Sequence, residues 1–263
     1  DKGGIVKMSK ILFIVLTLLI FSCEKLEEQT EFLEYDNYME NGWIAFQASD
    51  WDIAMDLFNI GLSQASSNYS EAYSGLGWTY LYQANRLHGE SNRSVRDTLR
   101  AKAEISFLNA EEEDKYDWDI WSDILAGNTY INSYKADYAW YMFYNDDDFQ
   151  FDPSLESDMI DYSEKTIKKS NDLFDFDSEY DFQFDPCVNM DNIRYLRAKT
   201  FLRLNSYIGL SDICIEEDIC IELMLNELNA ITTYSCSELE TLSDIQEGID
   251  CLNNLSSLLN SCH

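Results

Sequence analysis

Six of the seven cysteines lie at or beyond position 187: Cys187, Cys214, Cys220, Cys236, Cys251 and Cys262. An even set of this kind can close three disulfides in an oxidising compartment, and 15 connectivities stay open. The competing reading is six small buried hydrophobes, since a thiol packs well in a core. Zinc is disfavoured, because no Cys-x-x-Cys pair occurs and the only histidines are His88 and His263. His88 stands in a polar stretch beside Gly89-Glu90-Ser91, without an evident partner for general-base work. A Gly-rich phosphate loop, His-Glu-x-x-His and Gly-x-Ser-x-Gly are all missing. With 49 acids in the chain, a carboxylate pair suited to glycoside hydrolysis arises by chance. One acidic arrangement is more specific. Asp146, Asp147, Asp148 and Asp152, or Asp175, Asp177, Glu179 and Asp181, can gather oxygens around Ca²⁺, although neither set has the EF-hand pattern. Solvated charge is the competing reading, and the expectation is no metal, no cofactor and no catalytic residue.

The elements that position these residues follow from composition. Only 2 prolines and 10 glycines occur among 263 residues, and 46% of the chain is hydrophobic. Few turn residues and a large apolar fraction favour long helices over an all-β domain. The formal net charge is −31. Such a surface repels nucleic acid and attracts basic partners.

Lys7 and Lys10 precede the apolar run Ile11–Phe21, which ends just before Cys23. The run is too short to span a bilayer, which takes roughly 20 apolar residues, but it suits the central region of a secretory signal. Met8 reads as the start of translation. Ile20-Phe21-Ser22-Cys23 resembles a bacterial lipobox, which implies that Cys23 is lipidated, as with palmitate, and becomes the new N-terminus. Phe21 is bulkier than the residue usual there. Lys25 followed by Glu27 and Glu28 resembles the surface-export signal of some bacterial lipoproteins; an ordinary charged tether is the other reading.

Beyond the tether a period emerges. Gly42, Ala54, Phe58 and Gly61 are followed by Leu76-Gly77 and Tyr80, and Gly42 to Gly77 spans 35 residues. Ala103, Phe107 and Ala110 repeat the small–large–small pattern, then Gly127 and Tyr130, a weaker Ser163, Ile167 and Ser170, and finally Ala198, Phe201 and Tyr207. Residues spaced i, i+4, i+7 share a helix face. Small members let helices cross closely, and the aromatic fills the gap. This pattern resembles the tetratricopeptide repeat (TPR), most strongly over 39–83. The resemblance implies an all-α fold, a TPR-like α-solenoid of about three to four helix pairs.

Insertions break the period. Ala84–Asp97 reads as an extra polar loop or turn. Residues 144–153 and 174–190 read as acidic, aromatic loops that share Asp-Phe-Gln-Phe-Asp-Pro at Asp148–Pro153 and Asp181–Pro186. Leu239, Leu242, Ile245, Ile249, Leu252, Leu255 and Leu259 trace one apolar stripe, a natural C-terminal capping helix for a solenoid. The expected organisation is a signal segment over 1–23, a tether over 24–38, repeats over 39–210 and a Cys-rich helical cap over 211–263.

TPR arrays usually line a concave groove with the first helix of each pair. The resemblance therefore points to Tyr73, Thr79, Asn128, Asn132, Arg194 and Arg197 as partner-binding residues. The function it implies is a lipid-anchored scaffold for protein–protein interaction in a bacterial envelope assembly, similar to the barrel-assembly lipoproteins of the outer membrane. It would bind a protein or peptide partner, with a basic one favoured by charge, and would face either the periplasm or the cell surface. The alternative is a glycan- or nutrient-binding surface lipoprotein; those that use TPR-like helices are usually much longer.

Overall fold

The computed structural model describes residues 35–64, 69–113, 118–145, 153–231 and 245–259. Cys23 and its apolar run, the acidic segment 146–152, Cys236, Cys262, Leu239 and Leu242 lie outside the described residues. The fold is all-helical. We number its helices α1 (35–47), α2 (Trp51–Gln64), α3 (Ser70–Asn85), α4 (Arg93–Glu113), α5 (Trp118–Asn145), α6 (Pro153–Phe176), α7 (Met190–Asn205), α8 (Glu217–Asn229) and α9 (Ile245–Leu259). Among the described residues the one strand-like pairing is an antiparallel bridge between Asp181 and Asn189. No helix of the described residues is long and apolar enough to cross a membrane.

Two expected boundaries move. Residues 35–38, assigned to the tether, are already helical, because Tyr35 and Tyr38 pack against the core. The loop expected over Ala84–Asp97 is shorter: α3 runs to Asn85 and α4 begins at Arg93, with one 3₁₀ turn, Glu90–Asn92, between them. The polar residues of 93–97 still form a helix, because its apolar stripe begins only further along, at Ala103.

Local chemistry sets several ends. The chain turns from α1 to α2 through Ser49, whose φ is 63°. The Ser49 amide donates to the Phe46 carbonyl and the Asp50 amide to the Ala45 carbonyl, both at 2.9 Å. This pair of bonds is the Schellman arrangement, which satisfies the last carbonyls of a helix. Asn189 caps α7, its side chain accepting from the Asn192 amide at 3.2 Å.

The helices pack in a regular way. Each packs on the next, and the closest partnerships are α3 with α4, α5 with α6 and α7 with α8. The odd-numbered helices also pack on one another, α3 on α5, α5 on α7 and α7 on α9. The Phe58 ring lies between Gly42 of α1 and Gly75 of α3, and the Phe107 ring lies between Gly77 of α3 and Gly127 of α5. A Cβ added at Gly42 would sit 2.6 Å from the first ring, and one at Gly77 would sit 2.7 Å from the second. Overpacking of this kind typically costs about 1–3 kcal/mol. A second recurrence runs along the odd helices: Gly77-x-Thr79-Tyr80, Gly127-x-Thr129-Tyr130 and Ala198-x-Thr200-Phe201. Each threonine is fully buried and donates its hydroxyl to the carbonyl four residues earlier, at 2.7, 2.9 and 2.7 Å. That local bond lets a small polar residue face the neighbouring helix without an orphan donor.

Two cores result. The first is aromatic and joins α1–α5 with the segment 177–189. In the second, Cys214, Cys220 and Cys251 pack with Phe201, Met224 and Leu252 from α7–α9. Cys214 and Cys220 form a disulfide, and Cys187 and Cys251 are disulfide-bonded as well.

Segment 177–189 is no solvated loop. Phe182 is buried and stacks on Trp78 with ring centroids 4.6 Å apart, and Phe184 stacks on Trp43 at 4.0 Å. The Tyr82 hydroxyl donates to Asp185 at 2.5 Å, and the buried Tyr180 hydroxyl donates to Asp123 at 2.9 Å. Its aromatics therefore lie along α1, α3 and α5. Asp175, Asp177, Glu179 and Asp181 do not converge: Asp175 lies in the last turn of α6, and the Ser122 hydroxyl donates to Asp177 at 3.3 Å. No group of three metal-ligating side chains forms among the described residues.

Candidate functional site

The first residues of α4 read Arg93-Ser94-Val95-Arg96-Asp97-Thr98-Leu99-Arg100. Arginines spaced i, i+3 and i+7 fall on one helix face. Facing them across a cavity of about 790 Å³ is a second row, Tyr134, Tyr138 and Tyr141 of α5, spaced i, i+4 and i+7. Asn85, Leu87 and His88 close one side, and Asp137 lies among the tyrosines.

The connection from α3 to α4 holds the first row in place. Gly89 takes a φ of 83° with open space around it, a conformation that costs glycine little. Asn92 donates to the His88 carbonyl at 2.9 Å and Arg96 to the Leu87 carbonyl at 3.1 Å, which ties the turn to the helix it starts.

The arginines are held by ring faces. The Arg100 guanidinium carbon is 4.8 Å from the Tyr134 ring centroid, and that of Arg93 is 5.6 Å from the Tyr138 centroid. A guanidinium over a ring is attracted by the ring quadrupole while its edge donors stay available. Arg93 Nη2 also contacts Met142 Sδ at 3.1 Å. The buried Arg100 Nε makes no hydrogen bond within the described protein. Burial lowers the Arg100 pKa, and Arg96 pushes in the same direction; the charges of Tyr134 and Asp97 oppose them. Neither Arg96 nor Arg100 forms an ion pair among the described residues, although the chain holds 49 acids against 18 bases.

Asp137, the carboxylate of the cavity, is committed elsewhere. It pairs with Lys199 at 2.5 Å and with Arg203, both from α7. Tyr134 is half-buried, and desolvation raises its pKa; its hydroxyl accepts from Asn85 at 3.0 Å. The cavity therefore carries net positive charge inside a strongly negative protein. Its donors suit a carboxylate, phosphate or sulfate oxygen.

The residues expected to bind partners lie elsewhere, and most are structural. Thr79 is sealed into the α3 interface. Asn128 is buried and donates to Glu111 at 3.2 Å, and the buried Asn132 donates to the Asn128 carbonyl at 2.8 Å. Arg197 is buried too; it pairs with Glu227 at 2.7 Å and donates to Ser170 and Asn171, each at 2.7 Å. Arg194 pairs with the same Glu227 at 3.2 Å. These side chains point between helices, where burial requires a partner within the protein. Tyr73 is half-buried against Tyr69.

The expected packing residues fare differently. Gly42, Ala54, Phe58, Gly61, Gly77, Ala103, Phe107, Ala110, Gly127, Tyr130, Ala198 and Phe201 are all buried, and Tyr80 is half-buried under Lys102. The arginine row falls within the stretch 84–97 expected to be a loop, where its i, i+3, i+7 spacing carries meaning only once α4 is seen to begin at Arg93. No protein-family model, no curated protein and no solved structure matches the chain.

Proposed function

We propose that this chain is a lipid-anchored helical-repeat scaffold of the TPR type, which acts in the bacterial envelope by binding protein or peptide partners. The observation that carries the repeat reading is the glycine–phenylalanine–glycine clamp, formed at Phe58 and again at Phe107, each between two consecutive odd helices. Packing of odd helices on one another supports a stack of about four helix pairs with α9 as the cap. Disulfides at Cys187, Cys214, Cys220 and Cys251 suit an oxidising compartment, as export to the envelope provides. The anchor rests on Cys23 and the run before it. Acyl chains contribute about 0.8 kcal/mol per buried CH₂, so two or more hold firmly.

The odd helices would form the inner face of such a stack, and segment 177–189 already lies on α1, α3 and α5. Partner contacts are then expected on other surfaces, among them the exposed Trp140 and Tyr141 beside the arginine cavity. A second reading, a surface protein that captures glycans or small nutrients, is favoured by one observation: a cavity of ligand size lined by arginine and tyrosine.

Crosslinking in the native membrane followed by mass spectrometry tests the scaffold. Reproducible envelope partners are the expected result; recovery of the chain alone would overturn it. Cys23→Ser should abolish palmitate labelling and release the protein from the membrane fraction, and unchanged labelling would overturn the anchor.

A further inference from the structure

The cavity between α4 and α5 has features that helix packing alone does not explain. A guanidinium placed for stability is normally matched to a carboxylate, as Arg197 and Arg203 are here. Among the described residues Arg96 and Arg100 have no such match, and the buried Nε of Arg100 has no acceptor there. Leaving a buried donor unsatisfied typically costs about 1–3 kcal/mol. Three further observations agree. Arg93 opens α4 and lines the cavity, so the positive end of a 21-residue helix lies there, and its first turn holds no acid. Asp137 is neutralised by Lys199 and Arg203 from outside the row. The volume of about 790 Å³ is that of a small-molecule site.

We propose that this cavity is a binding site for a small organic anion, whose carboxylate, phosphate or sulfate group is held by Arg96 and Arg100 at the α4 row and whose body lies against Tyr138 and Tyr141. The assignment stands on the cavity alone and holds whether or not the chain is a scaffold. The two basic groups match the two or three oxygens of such an anion, and the phenol rings give the remainder a flat, half-polar wall. Neutral ligands gain nothing from the row, so charge sets the specificity.

Isothermal calorimetry on the full chain, in low salt, tests this with four probes: galacturonate, glucose 6-phosphate, inorganic phosphate and glucose. Binding of at least one of the two organic anions is expected, with no heat from glucose. The stronger of the two identifies carboxylate or phosphate as the group recognised. Arg96→Gln and Arg100→Gln should each weaken that binding roughly tenfold or more, and Lys168→Gln, on the exposed side of α6, should leave it unchanged. Far-UV circular dichroism of each variant separates lost binding from lost folding. If either arginine variant unfolds, raising NaCl on the unaltered protein should still weaken the binding. The proposal is overturned if neither organic anion binds, if glucose binds as well as they do, or if the arginine variants fold and bind normally. Binding of inorganic phosphate without either organic anion overturns the organic ligand. Binding of a glutamate-rich peptide where both small anions fail overturns it in favour of a docking surface.

Discussion

Two sets of arginines lie in this molecule under opposite conditions. Arg197 and Arg203 of α7 are buried, and each meets a carboxylate, Glu227 for one and Asp137 for the other. Arg96 and Arg100 of α4 are partly buried in the wall of a cavity, and among the described residues no carboxylate pairs with either. The first set joins α5, α6, α7 and α8, where a missing partner would leave an uncompensated interior charge. The second set makes no ionic link between helices: Arg100 lies on the Tyr134 ring of α5, and Arg96 donates to the Leu87 carbonyl. This set costs desolvation, and the fold gains only the ring contacts and one carbonyl bond. Burial alone therefore does not tell a structural cation from a functional one. What separates them is whether the protein supplies the counter-charge itself.

The sharpest way to break this contrast is at Glu227. Glu227→Ala leaves Arg197 buried without its carboxylate and should cost about 3–5 kcal/mol, read as a lower midpoint in urea. A variant that replaces Arg197 by Met and Glu227 by Leu together should recover much of that loss. A cost under about 1 kcal/mol for the single change would erase the distinction.

The acidic counterpart comes next. Asp123 is buried and pairs with no cation among the described residues, and burial raises its pKa from 3.8 to about 7, with the nearby charges of Glu71 and Asp177 adding to the shift. The hydrogen bond from Tyr180 opposes it. The folded state therefore binds a proton that the unfolded state has released between those two values. Stability from this group is full below about pH 4 and falls as pH rises toward 7, by up to about 4 kcal/mol. Asp123→Asn should flatten that part of the pH profile. An unaltered slope in thermal melts from pH 4.5 to 7.5 would refute it.

At the cavity, Arg100→Met should change stability by less than about 1 kcal/mol, with a gain as the favoured sign, because the apolar stem is kept and an uncompensated charge is removed. A loss comparable to that of Glu227→Ala would mean that Arg100 is structural after all. The smallest effect is set by a solvated pair. Lys165 and Asp161 meet at 2.6 Å on the outer face of α6, both half exposed, and Lys165→Ala should cost no more than about 0.5 kcal/mol.

The helices were legible because their small and aromatic residues recur at helical spacing. Gly42, Phe58, Gly77, Phe107 and Gly127 identify the close crossings directly. Gly75, on the far side of Phe58, falls outside the repeat register, and the threonines two residues after each small position form a recurrence that polarity hides from an apolar pattern. Binding residues were harder to find. Thr79, Asn128 and Arg197 are polar residues on odd helices, and sequence cannot show which side of a helix another part of the chain will cover. For Arg197 the cover is supplied by α8 and α6, about 30 residues away in opposite directions, and for Asn128 by Glu111 of α4. The arginine row was within reach: three arginines at i, i+3 and i+7 stand out in a chain with only 18 basic residues.

That distant cover has a consequence for how the protein is made. Helix pairs close through near neighbours and can form soon after synthesis, but Tyr82 waits for Asp185, 103 residues later. Until then the faces of Trp43 and Trp78 that receive Phe184 and Phe182 are bare. Chain emerges at about 5–20 residues per second, so the nascent amino-terminal half spends seconds with sticky aromatic surface showing. A contact of such high sequence separation slows the last folding step and leaves this half with uncovered apolar surface until residue 189 has been delivered.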